Sequence, residues 1–123
     1  MTKITQAMKE ALALAVGLHQ DFPDAPNPHW YSKPDEHGVS ILLGVAGELP
    51  NLTDLTNLFE LVVPELHARD IGICMTDSSY RGMWEYSWSV LHYSGGDDFD
   101  GPFHVDAGHA LFLACCEVLE VKE

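Results

Sequence analysis

The chain has 123 residues and a mass of 13.6 kDa. This size is typical of a single domain, which we predict over residues 1–123. Hydrophobic residues make up 46% of it, enough for a folded core, yet 19 Asp and Glu against 6 Lys and Arg give a net charge of −13 with the seven histidines neutral. This excess of acid excludes direct binding to nucleic-acid phosphates and to anionic membranes, because both require clustered Lys and Arg.

The first half of the chain predicts one helix and one hairpin. Apolar residues recur at every third or fourth position over residues 3–20, as in an amphipathic helix. Four prolines between Gln20 and Asp35 exclude a regular helix there and favour an extended loop. Residues 30–32 can then pair with residues 39–43 across a turn formed by residues 34–38.

A second helix and a strand are predicted next. Thr53 is a suitable N-cap, and apolar residues from Leu55 to Leu66 form one stripe, so we expect a helix here with a kink or a restart at Pro64. A strand at Ile71–Thr76 leads into residues 77–82, whose Asp, Ser and Gly content is typical of a turn.

The clearest pattern lies at Met83–Tyr93, where large apolar residues alternate with polar ones as in a half-buried strand. An acidic turn around Gly95 and Gly96 closes this strand, and Asp106 can cap a last helix over residues 107–120. The element order is therefore α-β(β)-α-β-β-α. It predicts an α+β fold in which about three helices pack on a small antiparallel sheet of roughly three or four strands.

Three stretches in the second half of the chain carry a family pattern. They are the helix start Thr53-Asp54-Leu55, the aromatic strand Trp84-Glu85-Tyr86-Ser87-Trp88, and a last helix introduced by Val105-Asp106-Ala107. Together they resemble the phage ABA sandwich family of small phage proteins, from which the proline-rich loop and Pro64 depart. The resemblance implies a phage or prophage origin and an α+β sandwich. It implies no catalytic residues, because the family has no established activity.

The cysteine content and the lengths of the apolar runs indicate the cellular compartment. Three cysteines, two of them adjacent at positions 115 and 116, do not form a disulfide framework. Cys74, inside an apolar strand, is expected to be buried and inert. The longest apolar run, Ala11–Leu18, is far shorter than the ~20 residues of a membrane span, and the N-terminus lacks a signal-peptide pattern. We therefore expect a cytoplasmic protein, in the bacterial host given the phage resemblance.

Two groups of residues contain metal-ligand chemistry. His104 and His109 flank Asp106, and with Cys116 they could bind zinc, although their spacing matches no zinc motif. Residues 98–101 resemble the middle of a calcium-binding loop, but the two outer positions where that loop needs ligands hold Gly and Ala. The sequence therefore predicts an acidic turn here, with no metal and no cofactor.

Acidic residues are spread along the chain and are not confined to a tail. Residues 54–70 carry a net charge of −3 and residues 94–106 carry −4. Three acids on the second helix fall opposite its apolar stripe at axial separations of about 9 and 7.5 Å, comparable with phosphate spacing. Leu113 is expected on the outward side of the last helix, where it can join a protein interface. The predicted partner-binding residues are Asp54, Glu60, Glu65, Asp97, Asp98, Asp100 and Leu113.

These features favour a binding protein over an enzyme. The leading hypothesis is a small acidic phage-type protein that docks on the basic surface of a host nucleic-acid-handling or defence complex, in the manner of an anti-CRISPR protein or a DNA mimic. One alternative is a metal-dependent enzyme or metal-binding protein that uses His104, Asp106 and His109. Another is a self-associating accessory phage protein. Ser78, Ser79 and the other potential nucleophiles lie near no recognisable base, so no catalytic residue is predicted.

Overall fold

Helices and two small antiparallel sheets alternate along the chain, which confirms the predicted α+β class. A computed structural model describes residues 3–21, 28–44, 47–80, 82–93, 95 and 98–121. Two of the helices are the two parts of one broken helix. The elements are α1 (Gln6–Ala15), β1 (His19–Gln20), β2 (Trp30–Tyr31), α2 (Leu55–Leu61), α3 (Val63–Ala68), β3 (Ile71–Tyr80), β4 (Met83–His92), β5 (Phe99–Asp100) and α4 (Ala107–Val118).

Helix α1 is shorter than the stretch 3–20 that its apolar spacing predicts. Thr5 caps it by accepting a hydrogen bond from the Met8 amide at 3.2 Å. The helix ends before Gly17, whose φ of +93° is a left-handed conformation that suits glycine. Met8 and Leu12 are among the residues that bury its inner face.

The predicted hairpin near Trp30 is present and is extended by a strand that the sequence did not predict. Ser32 donates its amide to Ile41 O at 2.8 Å, and Leu43 donates to Trp30 O at 2.9 Å. On the other side of β2, strand β1 pairs with it in antiparallel register. Trp30 itself is buried, so this small sheet is attached to the core. Of the predicted proline-rich loop, residues 22–27 lie outside the described residues.

The second helix begins one residue later than predicted and is broken at Pro64. Asp54, not Thr53, is the N-cap: its Oδ1 accepts from the Thr56 amide at 2.9 Å. Thr53 is buried and is bonded to Asn51 instead, through Oγ1 at 2.8 Å. The predicted restart is confirmed, because α3 begins at Val63 with Pro64 in its first turn, where a missing N–H costs little.

Strands β3 and β4 form a longer hairpin than predicted. They pair from Ile71 opposite His92 to Tyr80 opposite Met83, so residues 77–80 are strand and the prediction of a turn over 77–82 is wrong. Only two residues connect the strands, and the second, Gly82, has a φ of +77°, as tight hairpin turns require. The polar residues at 77–79 are exposed on the strand and do not break it.

The stretch predicted as an acidic turn contains a third strand. Strand β5 pairs antiparallel with β4, giving the sheet order β3-β4-β5, and an isolated bridge joins Tyr86 to His104 farther along. The described residues therefore form one sheet of two strands and one of three, in place of a single larger sheet.

Helix α4 is the centre of the core. As predicted, Asp106 caps it by accepting from the His109 amide at 3.1 Å. The helix contacts β4, α1 and α2, and every residue from Ala110 to Cys116 is buried. The indole of Trp88 donates to Ala107 O at 3.0 Å and so attaches the sheet to the start of the helix. Seven consecutive buried residues span almost two helical turns, so α4 is buried around its whole circumference.

Candidate functional site

Two of the predicted acids belong to α2, one as its N-cap and one near its end. Asp54 and Glu60 are both exposed at the surface of this helix. Glu65 belongs to α3 beyond the break, and its side chain is only 13% exposed. Glu60 and Glu65 line a small cleft of about 230 Å³ beside Lys33. The predicted row of three acids is therefore divided between two helices, because the chain restarts at α3 before the third acid.

Glu65 is the centre of an ion-pair cluster. Its Oε2 accepts from Lys33 Nζ at 2.6 Å, and its Oε1 accepts from Arg69 Nε at 3.1 Å. Arg69 also donates Nη2 to Ala15 O at 2.8 Å, so the cluster connects α3 to the end of α1. Burial raises the pKa of the Glu65 carboxyl, but the hydrogen bonds from Lys33 and Arg69 outweigh it and leave this pKa below its ordinary value. Glu65 therefore acts as a structural residue.

The acids near β5 are exposed but also make local bonds. Asp98 accepts from the His92 amide at 2.8 Å, and Asp100 accepts from Ser89 Oγ at 2.5 Å. Both bonds hold the β5 segment against β4. Asp97, the third acid predicted here, lies outside the described residues.

Leu113 is buried in the folded protein. It is only 9% exposed and belongs to the main hydrophobic core, so the prediction that it points outward is wrong. The reason is the central place of α4, which is covered on the side that a helix at the edge of the fold would leave open. Sequence periodicity cannot reveal this second covering layer.

A cleft between the starts of α2 and α4 brings together two carboxylates that the sequence did not associate. Asp54 and Asp106, the N-caps of these helices, both line this shallow cleft of about 440 Å³, and Tyr86 from β4 forms another wall. The helix starts approach closely because Gly108 has no side chain: an added Cβ would overlap the carbonyl oxygen of Thr53. We call this feature the N-cap cleft.

Charge in the N-cap cleft is negative despite the two helix ends. Each aspartate uses Oδ1 for its cap, and within the described part of the chain Oδ2 of neither accepts a hydrogen bond. A helix N-terminus contributes about half a positive charge, so two of them offset about half of the two carboxylate charges. The cleft is therefore chemically suited to a cationic group.

The histidines proposed as metal ligands lie beside this cleft. The rings of His104 and His109 stack with centroids 4.8 Å apart, and His104 Nδ1 accepts from the Asp106 amide at 2.9 Å. The sequence was therefore right to associate these residues in space. However, no three His, Cys, Asp or Glu side chains among the described residues form a group that could hold a metal ion. Cys116, the fourth proposed ligand, is buried in the core.

The three cysteines occupy two different environments. Burial raises the pKa of Cys115 and that of Cys116 to about 12, so both thiols stay protonated. Cys74 is exposed on β3, and the prediction that it is buried is wrong. The error has the same origin as the misplaced turn, since this part of the strand extends beyond the core.

Comparisons with protein-family models, with curated proteins and with solved structures find no match. Within the described residues no helix has the length and apolar character needed to cross a membrane. The fold and the site together define a small α+β protein with an acidic cleft between two helix starts.

Proposed function

We propose that this protein is a small acidic binding protein of phage type that docks on the basic surface of a partner protein. The N-cap cleft is the proposed receptor for one Arg or Lys side chain of that partner. The proposed partner is a host complex that handles nucleic acid or provides defence, and the proposed effect is inhibition, as by an anti-CRISPR protein or a DNA mimic. The phage assignment depends on the sequence resemblance of the second half of the chain.

The observation that carries the proposal is the pair of carboxylates in the N-cap cleft. Asp54 and Asp106 each retain one oxygen that the described chain does not use. A guanidinium group donates several hydrogen bonds in one plane and can therefore engage carboxylates from two helices at once. Tyr86, half-buried in the wall, adds an aromatic surface for a cation.

Charge distribution supports the same function. Lys33 and Arg69 are both bound to Glu65, so this cluster opposes the other acids with a net charge of only +1. The remaining surface acids attract a basic partner over long range and accelerate encounter, while the cleft gives orientation. Mechanistically, carboxylates occupy Arg and Lys sites that the partner otherwise uses for phosphate. Affinity is then expected to fall steeply with salt, because the Debye length shrinks from about 10 Å at 0.1 M to about 3 Å at 1 M.

The test separates this cleft from general acidity by using two variants with the same charge change. Asp54→Asn/Asp106→Asn removes two charges but keeps both caps, because asparagine is as good an N-cap as aspartate. The control, Asp35→Asn/Glu36→Gln, removes two charges from an exposed turn; Asp35 uses a side-chain oxygen to accept from the His37 amide, and asparagine retains that acceptor.

Wild type and both variants are used to capture partners from a bacterial host lysate at about 0.05 M and about 0.5 M salt, with quantitative mass spectrometry. We expect a basic protein that binds wild type and the control at low salt, binds the cleft variant at least about tenfold more weakly, and is lost at high salt. Affinities of the identified protein are then measured by calorimetry. Equal binding by the two variants contradicts the cleft, and a salt-independent complex contradicts mimicry of nucleic acid.

A further inference from the structure

The outer part of the β3–β4 hairpin projects from the body of the protein. All described side chains from Cys74 to Ser79 and from Met83 to Glu85 are exposed, on both faces of the hairpin. The two strands pair without a bulge over this whole length. We call residues 73–79 of β3 the free edge; at about 3.3 Å per residue this span is roughly 23 Å long.

Hydrogen-bond directions show which backbone groups the free edge presents. The sheet order β3-β4-β5 leaves one side of β3 without a neighbouring strand in the described chain. Tyr93 N donates to Asp70 O at 3.1 Å, so the even-numbered residues of β3 bond to β4. Because an antiparallel ladder alternates, the N–H and C=O groups of the odd-numbered residues 73, 75, 77 and 79 face outward.

This free edge lacks the features that usually protect an edge strand. Strand β3 contains no Pro, no Lys and no Arg, and its one charged residue is Asp77. Apolar side chains are also exposed along the hairpin: Met75 is 45% exposed, Met83 57% and Trp84 56%. Natural proteins normally interrupt or cover such an edge because it is a template for another strand. An edge left in this state is typical of one that is paired in the functional assembly.

The charge of the hairpin indicates which kind of molecule pairs with the free edge. Residues 71–93 contribute only −1 of the total −13, so this hairpin is nearly neutral in a strongly acidic protein. A basic partner would find little attraction here, whereas the hairpin of a second copy meets little local repulsion. We propose that the free edge pairs with the same edge of a second copy, in antiparallel orientation about a two-fold axis. The proposal is independent of the proposed function, because it uses a different surface.

A specific register follows from the length of the free edge. Pairing all of residues 73–79 places Thr76 of one copy opposite Thr76 of the other, and Met75 opposite Asp77. The two Asp77 carboxylates are then not opposite each other, which avoids a destabilising like-charge pair. The two sheets of β3, β4 and β5 become one continuous six-stranded sheet. A contact of this length buries less than the ~1,600 Å² of a standard interface, so we expect a reversible dimer.

Light scattering after size exclusion, from about 1 µM to about 1 mM protein, tests the dimer. We expect wild type to shift from 13.6 kDa towards twice that mass as concentration rises. Met75→Pro removes an outward N–H without touching the bonds to β4, and it should remain monomeric. Met75→Ala keeps that N–H and should still dimerise. A wild type that stays monomeric throughout overturns the proposal, as does a Met75→Pro protein that dimerises as well as wild type.

Cross-linking tests the register without depending on the proline variant. In the proposed pairing the two Thr76 residues form a non-hydrogen-bonded pair with Cα atoms about 4.5 Å apart, within the range for a disulfide. Cys74→Ser/Thr76→Cys should therefore form an interchain disulfide under mild oxidation. The control, Cys74→Ser/Ser78→Cys, faces the substituted position 74 of the other copy and should not. Equal cross-linking of both variants, or of neither, contradicts this register.

Discussion

Replacing Gly108 by alanine tests the close approach that forms the N-cap cleft. In an ordinary helix this change is stabilising by about 1 kcal/mol, because glycine is a poor helix former. Here the new Cβ overlaps the carbonyl oxygen of Thr53, a backbone atom that cannot rotate away. Overpacking of this kind costs about 1–3 kcal/mol, and more where backbone must move. We therefore expect Gly108→Ala to lower the free energy of unfolding by about 1–2 kcal/mol.

Calorimetry and urea unfolding measure this change directly. For 123 residues the unfolding entropy is about 0.26 kcal/mol/K, so the expected loss lowers Tm by about 4–8 °C. Gly101→Ala is the control: its Cβ would lie 2.9 Å from Ala114 Cβ and 3.1 Å from Trp88 O, a milder contact that should cost less. A Gly108→Ala protein with a raised Tm would refute the close packing of the two helix starts, since helix propensity alone would then be acting.

Other side chains test the electrostatics and the core. Because the pKa of Glu65 is lowered in the folded protein, its stabilisation is present above the ordinary pKa of about 4.3 and is lost as pH falls through the folded value. In urea unfolding, Glu65→Gln should thus lower the free energy of unfolding by about 1–2 kcal/mol at pH 7 and by progressively less below about pH 4. A loss that does not change with pH contradicts the ion-pair cluster. With a thiol reagent at about pH 8, Cys74 should react in the native protein. Cys115 and Cys116, with pKa values of about 12, should react only in denaturant. Rapid labelling of more than one thiol in the native protein refutes this. Leu113→Ala should lower the free energy of unfolding by about 2–3 kcal/mol and leave the affinity of the folded protein for its partner unchanged. A weaker affinity with no loss of stability would indicate that Leu113 contacts the partner.

Elements with local signals were predictable from the sequence. Asp106 stands before an apolar helical stretch, and its side chain caps that helix as expected. Pro64 cannot continue a helix, and the chain restarts there. The alternation over Met83–Tyr93 predicts a strand, and β4 occupies nearly the same residues. In each case the cause lies within a few residues of the feature.

Features that depend on the tertiary environment were not predictable in the same way. Asp77, Ser78 and Ser79 have turn chemistry, but they are polar because the hairpin projects into solvent. Leu113 was expected on the outward side of α4, yet it is buried in the main hydrophobic core. The N-cap cleft could not be found either, because Asp54 and Asp106 lie on different helices and only the packing of those helices brings them together.

The uneven distribution of charge gives the protein two surfaces with opposite preferences. Carboxylates in the N-cap cleft favour a cationic partner, and Asp54 and Asp106 can be made neutral without losing their caps. Along the free edge, by contrast, a single acid at Asp77 leaves backbone groups as the main means of recognition. Salt therefore acts differently on the two proposed contacts: it weakens docking at the cleft, but by screening the total charge of −13 it favours the approach of two copies. Because the two contacts use different surfaces, Met75→Pro should abolish dimerisation and leave partner docking intact. Asp54→Asn/Asp106→Asn should weaken partner docking and leave dimerisation intact.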